Sequence, residues 1–163
     1  WATGAAGLAA LGEGRQRMVG TGIKGQAALL AYDARNAPQI FAGGLHVIPH
    51  GDGTVAVGST TERTYDSPDT TDVALDQVIE TARGLVPALR QAPVIERWAG
   101  VRPRARSRAP ILGHWPGRPG HYIANGGFKI GFGMAPLIAE VMADLLLEGH
   151  DRIPAGFRVE DSL

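Results

Sequence analysis

The spacing of hydrophobic positions changes period along this chain, and the changes outline its elements. An aliphatic run from Ile23 to Tyr32 reads as a strand, with Lys24-Gly25-Gln26 at its start. Two partly β-branched runs, Ile40 to Ile48 and Thr54 to Gly58, flank Pro49-His50-Gly51-Asp52-Gly53. The Asp-Gly pair favours a tight reversal, so a β-hairpin is expected there. From Asp69 to Leu85 the spacing turns helical: Val73, Val78, Ile79, Ala82 and Leu85 recur behind the capping candidates Ser67, Asp69 and Thr70, and Pro87 provides a stop. Strands return at Val94 to Arg104, Ala109 to Gly113 and His121 to Ala124.

Residues Asn125 to Gly133 are rich in glycine, and from Ala135 the positions Leu137, Ile138, Val141, Met142, Leu145 and Leu146 outline a helix ending at Gly149. A strand, a glycine turn and a helix together let backbone N–H groups approach an anionic or electron-rich ligand at the positive end of the helix. Trp1-Ala2-Thr3-Gly4-Ala5 reads as the end of a buried strand running into a turn. A strand lacking its first half is a poor place for a chain to begin, so truncation is expected. The order of sheet, helix and sheet predicts an α+β fold, a mostly antiparallel sheet with flanking helices.

Length, charge and composition narrow the options. At 163 residues one ordinary domain with a sizeable core is the default. Sixteen basic side chains balance sixteen acidic ones, so no nucleic-acid partner is expected. The absence of cysteine excludes disulfides, thiolate metal sites, a cysteine nucleophile and a sulfur-tethered flavin, and it matches a cytoplasmic location. Apolar stretches break well short of the roughly 20 residues that a membrane span requires, so none is expected.

The densest chemistry lies between Trp98 and Gly113. If that segment is extended, Arg102, Arg104, Arg106 and Arg108 share one face, an arrangement most comfortable beside anions, whether acidic side chains or a bound carboxylate or phosphate. A solvated or salt-bridged edge strand is the plainer reading of the same residues. The five histidines are scattered without ligand spacing, so no metal site is expected. No G-x-S-x-G accompanies the serines. Trp98 is expected to pack under the sheet, and Tyr32, Tyr65 and Tyr122 to be satisfied aromatics.

Several of these segments resemble motifs of the D-amino-acid oxidase and glycine oxidase family of FAD enzymes. They are, in the family's order, Trp1-Ala2-Thr3-Gly4; Lys24-Gly25-Gln26; the hairpin from Ile48 to Gly53 with Val57 to Glu62; Trp98 to Pro103 with Pro110-Ile111-Leu112-Gly113; and Ile123 to Gly131 followed by Met134-Ala135-Pro136. The resemblance covers nearly the whole chain. It implies a two-part protein in which a βαβ domain holds FAD and an antiparallel sheet roofs the substrate pocket. Residues 1–20 would end the FAD-binding domain, 21–112 would form the substrate-binding sheet domain, and 113–163 would return to the FAD-binding domain, leaving remnants of that domain at both ends. The family's usual G-x-G-x-x-G is absent, which implies an upstream FAD-binding segment as partner and an isolated chain without FAD.

By the same resemblance, Ala2, Thr3 and Gly4 contact the cofactor, as do Gly126, Gly127, Phe128, Lys129, Ile130, Gly131 and Phe132. Arg102 and Lys129 would hold the carboxylate of a small amine substrate. Hydride transfer to flavin would oxidise its C–N bond, and water would hydrolyse the resulting imine. Departures from the family pattern fall at Ala105, where D-amino-acid oxidases place an arginine, at Gly127, where histidine is common, and at His50, where arginine is frequent. The alternative is a non-catalytic small-anion-binding or scaffold module.

Overall fold

A computed structural model describes all residues, 1–163, as two compact units: Lys24 to Val101, and Trp1 to Ile23 together with Arg102 to Leu163. The elements in order are α1 (Gly4–Gly12), β1 (Gly20–Ala31), β2 (Ile40–Ala42), β3 (Leu45–Pro49), β4 (Thr54–Gly58), α2 (Val73–Leu85), β5 (Val94–Ala105), β6 (Ile111–His114), β7 (Tyr122–Asn125) and α3 (Gly131–Ala143). The fold is α+β, with antiparallel strand pairs throughout β1 to β4. No helix is long and apolar enough to cross a membrane.

The Lys24–Val101 unit is built on a sheet of order β2-β3-β4-β1-β5. The expected hairpin is present: β3 and β4 pair from Pro49↔Val55 to His46↔Gly58. The run expected from Ile40 to Ile48 is broken at Gly43 and Gly44, whose φ values of 58° and 78° make a second reversal that β-branched residues would resist. Helix α2 covers one face of the sheet with Leu75, Val78, Ile79 and Ala82, all buried against Ala28, Leu30, Val47, Val55 and Val57. Its cap is Asp72, whose carboxylate accepts from the Ala74 N–H at 2.9 Å. The expected candidates Ser67, Asp69 and Thr70 all lie ahead of it.

The same face of β1 begins with charge. Lys24 and Gln26 are as buried as Ala28 and Leu30, because a polar network receives them. The Lys24 ammonium lies 3.3 Å from Asp72 and 3.8 Å from Glu62. The Gln26 amide donates to Glu62 (3.0 Å) and Asp72 (2.9 Å), while its carbonyl accepts from the Asp72 N–H at 2.8 Å. Buried charge is tolerated where it is paired and hydrogen-bonded in this way.

In the other unit, β6 and β7 form an antiparallel pair from Ile111↔Asn125 to His114↔Tyr122. The C-terminal segment joins their edge, where the Leu112 N–H donates to the Phe157 carbonyl (2.8 Å) and the Val159 N–H to the Leu112 carbonyl (3.1 Å). Leu8, Leu11, Ile111, Trp115, Ile123 and Val159 make one core; Leu112, Val141, Met142 and Leu145 belong to another. Two expectations need correction here. Trp1 to Thr3 are exposed and form no strand, although the Trp1 carbonyl accepts from the Ala124 N–H of β7. Residues beyond Thr3 are helical instead, in a segment whose alanine and glycine content hides any amphipathic pattern.

Candidate functional site

The site is built where the glycine turn after β7 docks on the end of β5. Asn125, the last residue of β7, is buried; its side-chain amide donates to the Gly4 carbonyl (2.8 Å) and its side-chain carbonyl accepts from the Gly126 N–H (2.7 Å). That side chain therefore fastens the turn to the start of α1. Gly126 has φ 78°, and a Cβ there would lie 2.8 Å from the Ala105 Cβ, so neither the conformation nor the space admits a side chain. The Phe128 N–H then donates to the Pro103 carbonyl at 3.0 Å. Phe128 itself has φ 45°, a region that non-glycine residues occupy at a cost, as is frequent at ligand sites.

This strained turn gathers cations around one ring. The guanidinium carbons of Arg102 and Arg104 lie 5.5 Å and 6.0 Å from the Phe128 ring centroid, and the Lys129 ammonium lies 5.7 Å away. Arg102 and Lys129, 27 positions apart in sequence, thus meet at Phe128. The expected four-arginine face does not form. Strand β5 ends at Ala105, Arg106 begins a turn, and Arg108 has φ 65°, so the alternation that would align them is lost.

Beside the turn is an open, mostly apolar cavity of about 470 Å³, bounded by Ala2, Gly4, Pro103, the segment from Ala124 to Phe128, Gly131, and Ala135, Ile138 and Met142 of α3. Bare backbone faces it: a Cβ at Gly4 or Gly131 would meet no atom within 4 Å. Helix α3 begins on the same rim without a capping side chain, since Ile130 holds the N-cap position. Its first N–H groups are therefore available to an electron-rich ligand, with the helix dipole adding favourable potential. A flat, largely apolar ring carrying carbonyl acceptors suits this combination of cradle and donors, so the residues present fit the ring portion of FAD.

Of the residues expected at a cofactor, Ala2, Gly4, Gly126, Gly127, Phe128 and Gly131 line the cavity. Thr3, Lys129, Ile130 and Phe132 do not, and Phe132 is almost wholly exposed at 97%. Arg102 reaches the site through Phe128 rather than by lining the cavity. Asn125 was not singled out from the sequence, although its place at a strand end beside glycine was the available signal, whereas Arg104, which alternation puts on the face of Arg102, joins it at Phe128. Trp98, expected under the sheet, is 40% exposed and borders a second cavity of about 190 Å³ in the Lys24–Val101 unit, with His46, Ile48 and Ser59.

Comparison with known proteins supplies an independent test. The family model described as FAD dependent oxidoreductase (DAO) matches residues 1–145. The glycine oxidase of Pseudomonas putida is 35% identical over 144 residues, which are 86% of this chain and 39% of that protein. The glycine oxidase of Pseudomonas aeruginosa is 32% identical over 76% of this chain and 34% of its own length. Among solved structures, the glycine oxidase of Bacillus cereus shares the fold with a TM-score of 0.79 at 24% identity, over 92% of this chain and 42% of the other. An iminodiacetate oxidase from a Chelativorans species gives a TM-score of 0.76 at 25% identity, over 87% and 40%. The chain thus spans about two-fifths of the length of the relatives it matches.

Proposed function

Because the chain belongs to the DAO family of FAD-dependent oxidoreductases, we propose that it forms the substrate-side part of an enzyme oxidising the C–N bond of a small amino acid or secondary amine. On this reading, residues 1–20 and 113–163 go with the FAD-binding part and residues 21–112 with the substrate-binding sheet. Bound FAD supplies the two-electron acceptor for hydride from the carbon next to the amine nitrogen. Gly4, Gly126, Gly127 and Gly131 would hold the flavin ring against bare backbone, and the uncapped start of α3 would offer it backbone N–H donors.

Arg102 and Lys129 grip the substrate carboxylate. The guanidinium makes two parallel hydrogen bonds to it, and the ammonium acts as a second positive charge. Fixing the carboxylate fixes the neighbouring carbon, and that orientation is the main rate contribution these residues make. Phe128 lines the cavity and carries both cations against its ring. The carbon loses hydride and the nitrogen a proton to give an imine, and water converts this to an oxo acid and the free amine or ammonia.

The observation that carries this reading is the meeting of Arg102 and Lys129 at Phe128, a wall of the bare-backbone cavity. Protein expressed at its full natural length should be yellow and should bleach with glycine or sarcosine under anaerobic conditions. Colourless protein unable to take up FAD overturns the proposal. Arg102→Leu should raise KM for the carboxylate substrate by about tenfold or more, as expected for a lost charge-assisted hydrogen bond. Unchanged kinetics would remove Arg102 from the site.

A further inference from the structure

Arg104 repeats the placement of Arg102 one step along the same face of β5. Its guanidinium carbon is 6.0 Å from the Phe128 centroid, against 5.5 Å for Arg102, with the Lys129 ammonium at 5.7 Å. Two other arginines of this unit are neutralised, Arg152 by Asp144 (2.6 Å) and Glu140 (3.3 Å) and Arg158 by Asp151, while Arg15, Arg17, Arg106, Arg108 and Arg118 are exposed to solvent. Arg104 is half-buried and pairs with no carboxylate. The sequence around it offers none, for no Asp or Glu occurs between Glu96 and Glu140.

One aromatic face attracts cations but does not cancel their mutual repulsion. An anion placed among them does, and Phe128, held in its strained backbone conformation by the Pro103 carbonyl, keeps the three charges grouped in readiness. If Arg102 and Lys129 take one carboxylate, Arg104 is left for another.

We infer that Arg104 is a second carboxylate-binding residue and that the preferred substrate is a small amine bearing two carboxylates. This inference rests on the amine-oxidation reading above. Binding of a short dicarboxylate would engage both guanidinium groups from one side of the strand, with the amine-bearing carbon between them.

The test uses two ligands without an oxidisable amine: diglycolate, an ether with two carboxylates, and methoxyacetate, its counterpart with one. Titration calorimetry on the FAD-loaded protein should show diglycolate binding about tenfold or more tightly, the worth of one charge-assisted contact. Arg104→Gln should bring the two affinities within about threefold, and Arg104→Lys should keep part of the preference. Arg106→Gln, a change at an exposed arginine just past β5, should retain the full preference and so control for net charge. Equal affinities in the unaltered protein, or a preference surviving in Arg104→Gln, overturn the second site. Methoxyacetate binding with amine oxidation but no preference defeats this inference alone, whereas no binding of either ligand defeats the amine-oxidation reading with it.

Discussion

Helices α2 and α3 are both thirteen residues long, but α2 buries four side chains in a continuous stripe and α3 buries only Val141 and Met142. Helix α2 starts on a carboxylate cap, carries Asp76 in its first turn and Arg83 in its last, and is thus complemented at both dipole ends. Helix α3 starts on an isoleucine, has glycines at its first and third positions and a proline at 136, and leaves Phe132 and Leu137 exposed. Every choice that stabilises α2 is withheld from α3. The contrast teaches that α2 is built for packing, while the first turn of α3 leaves its backbone donors uncapped.

Substitutions can break or sharpen that contrast. The largest effect is expected at Leu75, fully buried on the sheet-facing side of α2: Leu75→Ala should cost about 2–5 kcal/mol, seen as a lower denaturation midpoint. A loss well under 1 kcal/mol would show that α2 does not anchor the sheet. An intermediate effect belongs to Asp72, whose carboxyl is held below its ordinary value first by the Gln26 side chain, then by the Ala74 N–H, with Lys24 adding to both. A lowered folded value stabilises above the unfolded value of about 3.9 and is lost as pH falls through the folded one. Asp72→Asn retains a capping side chain but not the charge, so its deficit in stability at neutral pH should shrink by about pH 3. A deficit independent of pH would assign the role to the cap alone. The smallest effect is expected at Phe132: Phe132→Ser should change stability by no more than about 0.5 kcal/mol in thermal melts. A large loss would mean that α3 packs through its first turn.

Legibility in the sequence followed the same divide. The hairpin around Asp52-Gly53 and helix α2 were readable because alternation, helical spacing and turn residues agreed there. Helix α1 was not, since Gly-Ala-Ala-Gly carries no periodicity, and α3 begins four residues earlier than its apolar stripe suggests, through glycines that propensity disfavours. At the site, the glycine turn and Arg102 and Lys129 were visible as motif residues. Their meeting at Phe128 was not, because it depends on a left-handed residue and a backbone bond from 128 to 103 that no local pattern encodes. Lys24 and Gln26 lay in a run read as aliphatic, and the partners that permit their burial stand 36 to 48 positions away.

That pairing of Lys24 has a bearing on how the sheet finds its alignment. Hydrophobic alternation repeats every two residues, so sliding β1 by two along β4 would return aliphatic side chains to the covered face. The slide that brings Lys24 to the place of Gln26 would push the Gln26 amide into the aliphatic surroundings of Ala28, away from Glu62 and Asp72, and the opposite slide would draw Lys24 away from its present place beside those two carboxylates. Two polar side chains together therefore tell apart arrangements that oiliness alone would treat as equivalent, acting as an address mark for the strand.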